Sequence, residues 1–468
     1  MWPRWVERPA PAPLLPGRLN PAVRRLLQRI DEAAAASTAQ RHLDAALDPE
    51  IRRVLMQAGL AALTLPVDAG GLGAGTRVFC LCMRHLARLG PAWPIMAVPH
   101  LCITVKAVEH LAPPAWRQRV FDGVVQRHEL LVFAISEDRG SDLTAMQTRL
   151  SLGTDGRLRL RGAKQWITNL GEARHAVIAA RHGEGMTPGH SLILLDLQSP
   201  GVRTDVHAWP KRCANGSATG ALYLDDVVIG DDQVLGRAGD GLSLFQSMVQ
   251  AGRLGATAAL IGMAEACADA CGRPELGDRL LPARLALEHA ADCLDAADDP
   301  TAPDADLAGL CALVKHHGSV QAQKLLEELA AWCRHRQQGL PPLLLQCQHA
   351  AGMFRLLKGP GEVIGLQSLA GWLGRQLPPL APTRWPGRRW AWAAETVRRS
   401  LARLADEGGP VSSPHRAADT LHLLASLHQC LSSPAQVPDG PPWQQAMRCA
   451  RQLRHDARAP GMPEGLLP

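Results

Sequence analysis

Val132-Phe133-Ala134-Ile135-Ser136-Glu137-Asp138-Arg139-Gly140-Ser141-Asp142, together with Lys164-Gln165-Trp166-Ile167-Thr168-Asn169, is the most informative pair of segments in the chain. Both read as apolar strands with hydroxyls at their ends, and the second adds an amide and an indole. Hydroxyls at a strand end can bond ring oxygens, and an indole can lie against a ring face. The combination suits a flat, hydrogen-bonding, redox-active ring such as a flavin better than it suits a metal or a nucleic acid.

The surrounding sequence frames these strands. Short apolar runs that end in turn residues fall at 130–136, 149–153, 158–162, 176–180, 191–196, 202–206 and 221–228. Thr154-Asp155-Gly156-Arg157 reads as the turn of a hairpin. Upstream, Ala22, Val23, Leu26, Leu27 and Ile30 recur at helical spacing, as do Ile51, Val54, Leu55 and Leu60. A glycine-rich loop at 63–73 interrupts them, and its Gly70-Gly71 pair reads as a turn. Downstream, 242–271, 281–296, 305–334 and 343–357 read as helices, followed by a linker rich in proline and tryptophan at 377–392 and further helical segments. These patterns predict an α+β chain: an N-terminal helical domain (18–128), a middle β-barrel domain (129–236), a C-terminal helical bundle (237–376), and a linker with an extra helical tail (377–468).

At 468 residues, 46% of them hydrophobic, the chain can bury a large core. Its net charge of +6 is carried mainly by arginine. No basic run or stripe of alternating basic and aromatic residues points to nucleic acid. A basic face could still attract an anionic carrier such as a phosphopantetheine thioester. The 12 cysteines are scattered without a Cys-x-x-Cys pair, and they read as buried small hydrophobes in a reducing compartment. No apolar run reaches the length of a membrane span, and Met1-Trp2-Pro3-Arg4-Trp5 starts no apolar leader. The expected location is cytoplasmic. Lys315, His316 and His317 are expected on a solvated helix face, with no metal site.

The order helices, barrel, helices, with these motifs in the barrel, resembles the acyl-CoA dehydrogenase family. Further pieces of the resemblance are Gly216-Ser217-Ala218-Thr219 and Leu224-Asp225-Asp226-Val227. The resemblance implies bound FAD and α,β-dehydrogenation of an acyl thioester, carried on coenzyme A or a carrier protein, as in fatty acid metabolism. Electrons would pass to an electron-transfer flavoprotein or to oxygen. It also implies that Phe133, Ile135 and Ser136 line the flavin ring, that Gly140 and Ser141 hold its phosphates or the thioester arm, that Trp166 covers a ring face, and that Thr168 bonds near N5. Arg273, in Arg273-Pro274-Glu275-Leu276-Gly277, and Gln348 would reach the adenosine half of FAD in a neighbouring subunit. That arrangement implies a homodimer or a tetramer. Leu276 stands where the family's motif has phenylalanine, and Gln346 is an alternative to Gln348.

The family's base, a carboxylate near the substrate α-carbon, is missing from both of its usual positions. Alignment puts Gly359 at one and Gly252, just before Arg253, at the other. Three readings follow. Glu362, among glycines and a proline, serves as the base from a rearranged loop; or the flavin does other, oxygen-using chemistry; or the chain is a non-catalytic scaffold homologue.

Overall fold

The computed structural model describes residues 19–36, 47–138, 145–183, 189–206, 213–214, 216–297, 305–337 and 339–356. Gly140, Ser141, Glu362 and the 377–468 tail lie outside the described residues. The N-terminal helices are α1 (Pro21–Ala36), α2 (Pro49–Gln57), α3 (Thr76–Leu86), α4 (Ala92–Pro99), α5 (Val105–Leu111) and α6 (Pro114–Arg127). On α1, the buried Val23, Leu26, Leu27 and Ile30 form the stripe that the spacing predicts. Asp48 caps α2, accepting from the backbone N–H groups of Glu50 and Ile51. The cap of α3 comes from far along the chain: Asp295 accepts from the N–H groups of Thr76 and Arg77, at 2.5 and 3.0 Å.

The middle domain holds one eight-stranded sheet: β1 (Leu130–Ala134), β2 (Arg149–Leu152), β3 (Leu158–Thr168), β4 (Ala173–His182), β5 (His190–Asp196), β6 (Val202–Asp205), β7 (Thr219–Ile229) and β8 (Val234–Leu235). The order along the sheet is β6-β7-β3-β2-β4-β5-β8, and β1 pairs with β4 in parallel. One face folds around its own core of Val132, Ala134, Leu150, Leu160, Ile178 and Leu222. The hairpin between β2 and β3 turns at Gly156, whose φ of +75° is open to glycine without strain.

The C-terminal helices are α7 (Gly241–Ala270), the short α8 (Pro274–Gly277), α9 (Leu281–Asp295), α10 (Ala305–His335) and α11 (Pro342–Leu356). A Cβ at Gly262 of α7 would lie 2.3 Å from the carbonyl oxygen of Arg84, so glycine sets how closely α7 approaches α3. Arg77 of α3 also reaches Glu288 and Asp292 of α9, both at 3.0 Å. The expected solvated face on α10 is corrected here: Lys315, His316 and His317 are all buried. Residues 309–319 of α10 are buried throughout, whereas Lys324, Glu327 and Glu328 further along are exposed; a helical stretch covered on all sides has no polar stripe for its sequence to show. Burial lowers the pKa of His317 to about 3. Among the described residues, no group of three or more His, Cys, Asp or Glu side chains could hold a metal ion.

Candidate functional site

The site is built where β1 ends beside β3. The N–H of Gln165 donates to the carbonyl of Ser136 at 2.8 Å, which joins the two motifs that the sequence singles out. Opposite β7, β3 slips register: Lys164 faces Leu222 and Ile167 faces Gly220, so three steps on β3 match two on β7. That is a β-bulge, and Trp166 sits in it at φ +59°. Left-handed backbone at a bulky residue is strained, and such strain persists where the surrounding structure enforces it. The bulge turns the indole outward, leaving it 52% exposed. Trp166 is therefore not a core residue of the sheet. Two residues on, Thr168 faces Thr219 across the ladder.

A buried ion pair supports this corner from behind. Lys164 is fully buried, and its Nζ donates to Glu137 Oε1 at 2.8 Å and to the Ile135 carbonyl at 3.3 Å. Glu137 also accepts from the N–H groups of Gln147, at 2.6 Å, and Thr148, at 3.0 Å. Burial pushes the Glu137 carboxyl up, but the hydrogen bonds from Lys164, Thr148 and Gln147 outweigh it and hold the group below its usual value. Burial pulls Lys164 down to about 8 against the opposing effect of Glu137. Lys164 and Glu137 both lie within the quoted motifs, but a buried lysine is the exception for its residue type, so composition did not mark them as structural. Asn169 adds a tie to the helical domain, donating to the Met96 carbonyl at 2.9 Å.

His100 is a further residue that sequence reasoning passed over. It opens the π-helical turn His100–Thr104 that follows Pro99. Its Nδ1 accepts from the N–H of Leu131 at 3.0 Å, so the proton is on Nε2, which donates to the Ala61 carbonyl at 2.8 Å. The imidazole thus bolts the start of β1 to the N-terminal helices. Burial lowers its pKa to about 4, so it is neutral near pH 7.

The structure disperses the remaining candidates. Phe133 is buried and stacks on Phe245 of α7, with ring centroids 5.5 Å apart and planes 5° apart. Its ring therefore joins the sheet to the bundle, and Ile135 packs against the same core. Arg273 stands just before α8, pairs with Glu275 and lies over Trp332 of α10 at 5.4 Å. Gln348 donates to the Leu326 carbonyl at 3.3 Å. From Phe245 to the end of α7 the helix rises about 40 Å at 1.5 Å per residue, so Arg273 is far from Ser136 within one chain. Arg253 of α7 donates to Gln250 at 2.9 Å, and the residue before it is the buried Gly252. A carboxylate is thus absent from that helical position.

A family model described as "Acyl-CoA dehydrogenase, N-terminal domain" matches residues 19–127, and one described as "Acyl-CoA dehydrogenase, middle domain" matches residues 132–227. Residues 19–227 thus resemble the first two domains of the acyl-CoA dehydrogenase family. It is 25% identical over 238 residues to mitochondrial isovaleryl-CoA dehydrogenase of Oryza sativa subsp. japonica, covering 50% of this chain and 57% of that protein. The match thus spans little more than half the length of this relative. Among solved structures, butyryl-CoA dehydrogenase from Megasphaera elsdenii matches with a TM-score of 0.65 at 19% identity, covering 76% of this chain and 99% of that one. Acyl-CoA dehydrogenase complexed with FAD from Bacillus anthracis matches with a TM-score of 0.72 at 15% identity, covering 95% and 88%. These likenesses show that the fold is the family's: an N-terminal helical domain, a middle sheet domain and a C-terminal helical region.

Proposed function

We propose that this chain is an FAD-dependent acyl-thioester dehydrogenase that desaturates its substrate between the α and β carbons. The observation that carries the reading is the bulge on β3, which turns Trp166 outward within one residue of the tie to Ser136. An outward indole beside a strand-end hydroxyl fits one face and one polar edge of a flat ring. The residues present therefore fit FAD: Ser136 and Thr168 as hydrogen-bonding groups and Trp166 as the ring cover. When bound, FAD would supply the hydride acceptor. The protein's part is to hold the ring at a rigid corner, through the pair Lys164–Glu137 and the bolt at His100, and to remove the α-proton.

We assign proton removal to Glu362, with Gly252 and Gly359 at the family's usual positions. A general base contributes about 10²–10⁴ in rate. The wide separation of Arg273 from Ser136 supports a homodimer, in which Arg273 and Gln348 of one copy would serve the cofactor of the other. Electrons would leave to an electron-transfer flavoprotein or to oxygen, and the compartment would be the cytoplasm. The test is anaerobic titration of the FAD-loaded protein with acyl-CoA thioesters. Bleaching of the visible flavin absorption is expected, and Glu362→Gln should retain flavin but abolish bleaching. If Glu362→Gln bleaches at the normal rate, Glu362 is not the base. A second reading, a scaffold homologue without dehydrogenase activity, is favoured by Gly252 alone; a colourless protein that takes up no FAD would support it, whereas a flavin-loaded protein that no thioester bleaches would support other, oxygen-using flavin chemistry.

A further inference from the structure

Lys164 is fully buried and stands opposite Leu222 of β7, a residue of the sheet's own core. Lysine is almost never fully buried unless it is paired, and Glu137 supplies the pair. An apolar pair of the same volume is often as stable as a buried ion pair. Stability alone therefore does not account for this one.

Its place behind the ring site does. Lys164 and Trp166 are two residues apart on β3, at the bulge. The Nζ of Lys164 donates to the Ile135 carbonyl at 3.3 Å. That carbonyl belongs to the peptide joining Ile135 to Ser136, and no peptide bond among the described residues is cis. In a trans peptide the N–H points opposite to the C=O. The ammonium therefore sits at one end of this peptide, and the Ser136 N–H leaves from the other. A charge at the carbonyl end polarises the amide and strengthens its donor. Lys164 thus acts through a single peptide unit on the residue assigned to the polar edge of the ring.

The charge behind the corner is set by two groups. Among the described residues, Glu137 is the charged group that acts on Lys164, and Lys164 the one that acts on Glu137. The neighbouring segments direct their charges elsewhere. Arg161 of β3 pairs with Asp226, the exposed Arg149 of β2 faces Arg161, and Asp138 beyond β1 bonds the Gln165 side chain. Gln147 and Thr148 offer Glu137 uncharged donors. With both groups ionised the pair is neutral. When Lys164 gives up its proton, the Glu137 carboxylate leaves one net negative charge.

A ring that accepts a hydride gains two electrons and one proton, and so one negative charge. A neutral pair behind the ring tolerates that charge, and an unbalanced carboxylate opposes it. Charge near the ring is one of the means by which a protein tunes a flavin. At an effective dielectric of about 20, a unit charge about 10 Å away shifts an equilibrium about tenfold.

We infer that Lys164 is a positioning residue for flavin reduction: its ammonium, held between Glu137 and the Ile135 carbonyl, keeps the reduction potential of the ring high, and loss of its proton lowers that potential. This deepens the proposed function and rests on its placement of the ring at Ser136 and Trp166.

The test is a potentiometric titration of the FAD-loaded full-length protein with dithionite and indicator dyes. It is repeated from about pH 7 to about pH 10, which spans the lowered and the ordinary range of a lysine. No thioester is present, so the readout is independent of turnover. Uptake of one proton per two electrons lowers the potential by about 30 mV per pH unit. A negative ring raises the proton affinity of Lys164, so reduction should take up a second proton over about one pH unit, and the slope should double there. The extra fall should be about tenfold in the reduction equilibrium, or about 30 mV. The double variant Lys164→Met/Glu137→Gln should follow the single slope throughout. Lys164→Arg keeps its charge across the range and should also lose the step, while holding the higher potential; it is the conservative variant should the double variant fail to fold. A wild type with a single slope overturns the inference, as does a step that persists in either variant. A protein that takes up no FAD removes the ring site, and the inference with it. A protein that holds FAD, bleaches with a thioester and shows no step loses this inference alone. A step that both variants abolish, in a protein that no thioester bleaches, would keep the role of Lys164 and remove the dehydrogenation.

Discussion

Replacing His100 with leucine should destabilise the protein by an amount that depends on pH. The substitution strands two buried backbone groups, the N–H of Leu131 and the carbonyl of Ala61. Leaving a buried donor or acceptor unpaired costs about 1–3 kcal/mol, so for two groups about 2–6 kcal/mol is expected near pH 7.5. The pH term has a definite sign. His100 titrates near 6.5 when unfolded and about 4 when folded, so the unfolded state takes up its proton first as pH falls. The contribution of the neutral imidazole is thus fully present above about 6.5 and is lost as pH falls towards 4. At pH 5 the loss is about 2 kcal/mol from this group. The leucine variant lacks this titration, whereas His317 is common to both proteins and cancels. Wild type should therefore exceed the variant by about 2–6 kcal/mol near pH 7.5 and by about 2 kcal/mol less near pH 5. Urea unfolding followed by circular dichroism at both pH values measures the difference. A gap under 1 kcal/mol near pH 7.5, or one that does not change with pH, refutes the assignment of His100 as a neutral two-sided bolt.

Other expectations follow from the same contacts. Lys164→Met leaves the buried Glu137 carboxylate with only the donors of Gln147 and Thr148, and should cost about 3 kcal/mol in urea unfolding and loosen flavin binding; a loss below 1 kcal/mol would show the pair is not structural. Asp295→Ala removes the cap of α3 and should lower stability by about 1–2 kcal/mol, whereas Asp295→Asn should retain part of it. Trp166→Phe should keep flavin bound but raise its fluorescence, since a smaller, less electron-rich ring would cover it; unchanged fluorescence would place the indole away from the ring. The thiols of Cys271 and Cys333 lie 3.7 Å apart, and burial raises the first to about 12, so neither should react with thiol reagents in the folded protein. Rapid native-state labelling of both would contradict their burial.

The domain order was legible because each part carries its own period. The helical stripe on α1, the strand runs between 130 and 229 and the Gly156 turn all sit where spacing places them. The motifs at Ser136 and Trp166 were legible as a pair, and one hydrogen bond from Gln165 shows why. What periodicity could not show was the interior. Lys315, His316 and His317 read as solvent-facing because charged and polar types are usually outside, yet the stretch 309–319 of α10 is buried throughout. The capping of α3 by Asp295 spans more than two hundred residues and leaves no local trace. The stacking of Phe133 on Phe245 likewise joins residues far apart in the chain and leaves no mark in the strand pattern.

The central claim is that the corner formed by Ser136, Trp166 and Thr168 holds a flavin that an acyl thioester can reduce. The most direct measurement is the visible spectrum of the FAD-loaded protein during anaerobic addition of acyl-CoA thioesters of graded chain length. The account predicts a yellow protein whose absorption bleaches with at least one member of the series. A colourless protein that takes up no FAD, or a yellow one that no thioester bleaches, would contradict it.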